Sequence, residues 1–189
     1  MDETLYETPL TDLKVTIDEV LTIIPSFPTP QEPLFLSNID QTVAFPVETA
    51  YFYRAKPCMD PKSLVGRLRD ALSELLVTYY PLAGRVKFNV DEDRMEIDCN
   101  AKGVFLASAT SEHSLDDLGE ISFVNPGYKS FVLTPTNEVD PPIVTLQVYL
   151  LSLLSILFCR HVDKICIIFI FNNVVVTAFF ILEIEISIA

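Results

Sequence analysis

The chain has two histidines, and each sits close to an acid: His113 within "TSEHSLDD" and His161 within "HVD", two residues before Asp163. Histidine is the side chain that most readily takes and returns a proton near neutral pH, so acid–base chemistry is sought there first. On a strand, residues two apart share a face, which would put His161 and Asp163 side by side. The simpler reading is a chance neighbourhood inside a hydrophobic stretch. His113, in a polar string, reads as a surface histidine. The four cysteines, Cys58, Cys99, Cys159 and Cys166, form no Cys-x-x-Cys pair, and no cluster has metal-ligand spacing, so no metal is expected. No glycine-rich loop offers backbone donors to a phosphate.

The elements that would carry such residues are legible in part. "LKVTI" alternates as a strand, and the segment that follows holds Pro25, Pro28, Pro30 and Pro33, which exclude helix and central strand alike. "SNIDQ" reads as a turn or cap. "VETAYFYRA" (47–55) is a strand by its β-branched and aromatic content. It sets Val47, Thr49, Tyr51 and Tyr53 on one face, and with neither face purely polar it is expected to be covered on both sides. Asp60 then caps a helix with Pro61 at its first position. Leu64, Leu68, Leu72, Leu75, Leu76 and Tyr79 make an apolar stripe, and Pro81 stops the helix near Tyr80. Gly84 is read as permitting a turn, and "RVKFNV" and "RMEIDC" as a hairpin around "DED". "GVFLASA" and "IVTLQV" read as further strands, and "SLDDLG" as a short helix.

Several of these strings, in this order, resemble the BAHD acyltransferases of plants, which move an acyl group from coenzyme A to an alcohol or amine. They are "FLSNIDQ", "VETAYFYRA", "LLVTYYPLAGRV", "RMEIDCNAKGVFLASA", "LDDLG" and "PPIVTLQV". The resemblance implies a mixed α/β fold, with this chain supplying part of the N-terminal domain of a two-domain coenzyme A-dependent enzyme. It implies acyl-CoA as co-substrate, no bound cofactor, and a hydroxycinnamoyl-type acyl group. It also implies that Thr49 and Tyr51 line the acceptor side of a channel, although ordinary strand packing accounts for both. Ser37 and Asp40 match a Ser-x-x-Asp signature that local capping also explains. Arg85 matches a structural motif position rather than a coenzyme A phosphate ligand.

The family's general base is the histidine of a His-x-x-x-Asp motif that follows the "LQV" strand. No Gly-Gly turn follows that strand here, and the chain is read as holding no His-x-x-x-Asp at any position. Only His161 and Asp163 lie nearby, with the wrong spacing, and tryptophan is absent, so Asp-Phe-Gly-Trp-Gly is absent too. The expectation is a truncated, inactive piece of an acyltransferase. The alternative is a non-catalytic partner of a related enzyme, or a membrane-associated protein.

Composition breaks at the same point. Every proline lies at or before Pro142 and every glycine at or before Gly127. Residues 1–13 read as a flexible N-terminus, 14–148 as the incomplete BAHD-like domain, and 149–189 as an unrelated hydrophobic tail. Residues 165–182 approach the length of a membrane span, but Asn172, Asn173 and Thr177 interrupt them. A net charge of −13 argues against nucleic acid. The acidic start is no secretory signal, so a cytoplasmic monomer with reduced thiols is expected.

Overall fold

The structure is a computed structural model, and it describes residues 14–42, 47–54, 60–113, 117, 127, 132, 140–152 and 162–171. The main helix, α2 (Pro61–Thr78), starts as its sequence dictates: the Asp60 carboxylate accepts a hydrogen bond from Ser63 N at 2.9 Å, and Pro61 follows. Its stripe is buried through Leu64, Leu68, Leu72 and Leu76. Tyr79 N–H donates to the Leu75 carbonyl, and Pro81 then bends the chain into a 3-10 turn, Tyr80–Ala83.

Two sheets flank this helix. The larger is five-stranded, built from β1 (Val15–Ile23), β6 (Val104–Ser111), β7 (Val144–Ser152), β8 (Val162–Phe171) and β3 (Val47–Arg54), in that spatial order. Only β6 and β7 are parallel; the other pairs are antiparallel. The smaller sheet orders β2 (Leu34–Phe35), β5 (Arg94–Asp98) and β4 (Arg85–Asn89). Between β2 and β3, "NIDQT" forms a short helix, α1 (Asn38–Thr42). The core gathers the α2 stripe with Ile23, Leu82, Ile97, Val104, Leu106, Val144, Leu146 and Val148, joining one face of the large sheet to the edge of the small one.

The structure departs from expectation in three places. A bulge between Ile17 and Glu19 breaks the alternation of β1, leaving Ile17 and Val20 exposed. On β3, Glu48 and Ala50 are exposed while Val47, Thr49 and Tyr51 are half-buried, so only the face turned to the core is covered. Gly84 is needed for space, not for its backbone angle. Its φ of −85° suits any residue, but a Cβ there would lie 2.5 Å from the Asp98 carbonyl oxygen and 2.9 Å from Ile97. The glycine that does need its backbone angle is Gly103, φ +88°, whose N–H donates to the Ala83 carbonyl.

Arg85 is buried and structural, as its motif position implies. Its Nε donates to the Asp140 carbonyl at 3.1 Å, and its Nη1 to the carbonyls of Gly84 (2.8 Å) and Gly103 (2.7 Å). Nearby on the hairpin, Lys87 bonds to the Asp98 carboxylate. That hydrogen bond, supported by one from Asn100 and opposed by partial desolvation, holds the Asp98 carboxyl below the usual carboxylate range.

Two outcomes are expected. Leu72→Ala should destabilise by about 2–5 kcal/mol in urea denaturation, since Leu72 is 2% exposed in mid-stripe. Because the folded pKa of Asp98 is depressed, its contribution is present above the unfolded carboxylate pKa. It is lost as pH falls through the folded value. NMR titration of Lys87→Met should show the Asp98 carboxyl rising back toward its ordinary value; an unchanged titration would refute this pairing.

Candidate functional site

Strand β3 carries the two residues that the sequence assigns to a substrate. Thr49 and Tyr51 share a face, and both are half-buried. Register places Thr49 beside Phe169 of β8 and, one strand further, Leu146 of β7; Tyr51 stands beside Ile167 and then Val148. This is the face that carries the core, and Tyr51 packs against that core. The Thr49 hydroxyl oxygen is buried and has no hydrogen-bond partner among the described residues. Leaving such a group unpaired costs roughly 1–3 kcal/mol.

The other sequence candidates fall out differently. His161 lies outside the described residues. Asp163 is the second residue of β8, so the structure tests no pairing between the two. Ser37 and Asp40 cap α1 reciprocally: Ser37 N donates to the Asp40 carboxylate at 2.8 Å, and Asp40 N to the Ser37 hydroxyl at 3.3 Å. Local capping accounts for that signature.

The reading of His113 as a surface residue is corrected. Its side chain is 23% exposed, its Nε2 is buried without a partner among the described residues, and its Nδ1 lies 4.0 Å from an Asp117 carboxylate oxygen. Its backbone N–H donates to the Ser111 hydroxyl at 3.2 Å. His113 and Asp117 are four residues apart, so a His-x-x-x-Asp spacing does occur in the chain. It occurs at the exit of β6, ahead of β7, and not after β7 where the family's motif belongs. The polar letters around His113 gave no sign of this partial burial, two residues past the end of β6.

On the β7 strand, the face opposite the core holds a buried polar row: Thr145, Gln147 and Tyr149. The Tyr149 hydroxyl donates to the Gln147 side-chain oxygen at 2.9 Å, and the Thr145 hydroxyl has no partner among the described residues. A surface recess of about 300 Å³ is lined by Ile24, Phe27, Pro28, Thr29 and Ala101 among others, and by none of the candidate residues. Among the described residues no group of three His, Cys, Asp or Glu side chains could hold a metal. Cys99 is a free thiol, buried, donating to the Ile97 carbonyl at 3.7 Å, and burial pushes its pKa up. Among those residues no helix is long and apolar enough to cross a membrane.

The described elements, mixed sheets around the long helix α2, make an α/β fold. The fold is similar to that of vinorine synthase, with a TM-score of 0.64 and 21% identity, over 84% of this chain and 38% of that one. A model described as the Transferase family matches residues 13–154, and the chain belongs to that family, among the BAHD acyltransferases. Acyltransferase GLAUCE of Arabidopsis thaliana is 34% identical over 78% of this chain and 34% of its own length. The omega-hydroxypalmitate O-feruloyl transferase of the same plant is 33% identical, over 72% of this chain and 30% of its own length. The shikimate O-hydroxycinnamoyltransferase of Nicotiana tabacum is 40% identical, over 58% of this chain and 25% of its own length. The chain thus spans about a third or less of these relatives.

An orphaned hydroxyl makes a clear prediction for the unliganded chain. Thr49→Val should leave stability unchanged or raise it by up to about 1 kcal/mol, because no hydrogen bond is lost and a polar atom leaves a buried position. A loss above about 1 kcal/mol in chemical denaturation would show that the hydroxyl has a partner.

Proposed function

We propose that this chain belongs to an enzyme that transfers a hydroxycinnamoyl-type acyl group from acyl-coenzyme A to an alcohol or amine. We also propose that this polypeptide alone does not turn over. The observation that carries the first part is the buried, unpartnered Thr49 hydroxyl beside Tyr51 on β3. A hydroxyl and a phenol on one strand face can orient an acceptor by hydrogen bonds while the neighbouring apolar positions exclude water. The acyl class is supported by the names of the feruloyl and hydroxycinnamoyl relatives. Acyl-CoA is then a co-substrate, not a resident cofactor. The reading carries with it a cytoplasmic monomer that does not bind nucleic acid, consistent with the acidic charge of −13.

The second part follows from the chemistry of the attack. An alcohol needs a base within hydrogen-bond reach to lose its proton as it adds to the thioester carbonyl. After β7 the given sequence has a single histidine, His161, and its spacing to Asp163 does not match the family's motif. Positioned acid–base catalysis is worth about 10²–10⁴-fold.

Purified chain, His161→Ala and His113→Ala should therefore release coenzyme A from feruloyl-coenzyme A at one background rate, with or without a long-chain alcohol. Turnover well above background that His161→Ala abolishes would make "HVD" a working variant and defeat the proposal. The same result with His113→Ala would instead assign the base to the His113–Asp117 pair.

A further inference from the structure

Among the described residues, β3 is an edge strand whose ladder runs to β8 alone. The pairing extends from Val47 opposite Phe171 to Arg54 opposite Lys164. On its other side β8 pairs with β7, from Val144 opposite Phe171 to Leu151 opposite Lys164. Each residue of β8 over this range thus stands between one residue of β3 and one of β7. Phe169 lies between Thr49 and Leu146, and Ile167 between Tyr51 and Val148. Strands in a sheet lie about 4.8 Å apart, so β3 and β7 are two spacings apart and cannot hydrogen-bond across an empty slot.

We infer that β8 is the positioning element of the candidate site: Thr49 and Tyr51 are held against the core because residues 162–171 fill the slot between β3 and β7. The inference rests on the reading of Thr49 and Tyr51 as substrate-side residues. Residues 162–171 are then not a passive extension. Loss of β8 frees β3, and with it the hydroxyl and the phenol that would orient an acceptor. The half-burial of Thr49 and Tyr51, against the exposure of Glu48 and Ala50, fits a strand fixed along one edge and one face only.

In an antiparallel sheet, adjacent residues direct their N–H groups to opposite neighbours, so of Ile167 and Ile168 one donates toward β3 and the other toward β7. The variant Ile167→Pro/Ile168→Pro removes both donors, and Ile167→Val/Ile168→Val keeps them. Amide hydrogen exchange on the whole chain should show residues 47–54 exchanging about tenfold faster or more in the proline variant. The α2 helix and the β4–β5 hairpin should keep their protection, and the valine variant should match the parent. Unchanged protection of β3 in the proline variant would overturn the inference.

Where the proline variant loses protection everywhere, a second variant decides. Phe52 stands opposite the native Cys166, so Phe52→Cys places two thiols at facing positions of paired strands. Oxidised glutathione should close a disulfide between the introduced thiol and Cys166, mapped by mass spectrometry in otherwise folded protein. Its failure to form, or pairing of the introduced thiol with another cysteine, would overturn the inference. Both experiments report strand pairing without any ligand, so they stand or fall separately from the acyl-transfer reading.

Discussion

A guanidinium cannot be buried with its donors unpaired, and Arg85 is 4% exposed. Its solution is to bind three backbone carbonyls from separate segments: Gly84 at the helix exit, Gly103 ahead of β6 and Asp140 ahead of β7. The Asp140 carboxylate lies 4.0 Å from Nε, and Lys102 pairs with that same carboxylate. Those carbonyls sit where strands begin and no ladder partner is yet available, so each would otherwise be an unpaired acceptor. One side chain therefore joins the end of α2, the small sheet and two strands of the large one. A lysine could not do this, because a single ammonium cannot reach carbonyls arranged around a planar fork.

Around that junction the packing has little slack. A side chain at Gly84 would meet β5, and one at Gly103 would lie 2.4 Å from the Ile23 carbonyl oxygen. The two glycines sit on either side of the Arg85 contacts, one for space and one for a left-handed turn as well. The result fixes how β6 and β7 enter the large sheet side by side in parallel. Their core-facing residues Val104, Leu106, Val144, Leu146 and Val148 then meet the α2 stripe. The candidate site inherits this frame only indirectly. Thr49 and Tyr51 belong to the strand furthest from β1, and the apolar face they share with β7 is continuous only through β8.

What could be read from the sequence follows the strength of local signals. Asp60, Pro61 and Pro81 each act through the backbone within a few residues, so the limits of α2 were legible almost to the residue. β3, the β4–β5 hairpin, β6 and β7 were legible from alternation or β-branched content. β2 was not, because a strand of two residues has no period to detect. The need for Gly84 was misjudged because it arises from β5, which is remote from the turn itself. Of the site, the strand and face of Thr49 and Tyr51 were legible, but the missing partner of the Thr49 hydroxyl was not. Nor was the burial of His113, since a polar string says nothing of what packs over it. The helix expected at "SLDDLG" lies outside the described residues apart from Asp117.

The compositional break after Val148 takes on a different physical meaning beside the sheet order. A strand with a neighbour on each side must donate and accept along its whole length, which excludes proline, and glycine weakens it. Where both faces of a sheet are covered, an inner strand also loses the polar alternation that marks a half-exposed one and becomes a near-continuous apolar run. Residues 162–171, "VDKICIIFIF", have that character from Ile165 onward, with the charged Asp163 and Lys164 at the end of the strand. Edge strands β1 and β3 keep their charged or polar positions, Asp18, Glu19 and Glu48 among them. Charge on an edge strand also discourages pairing with a foreign strand, while an inner strand has no free edge to protect. A segment that looks foreign by composition is therefore suited, by the same composition, to the interior place it holds in the sheet.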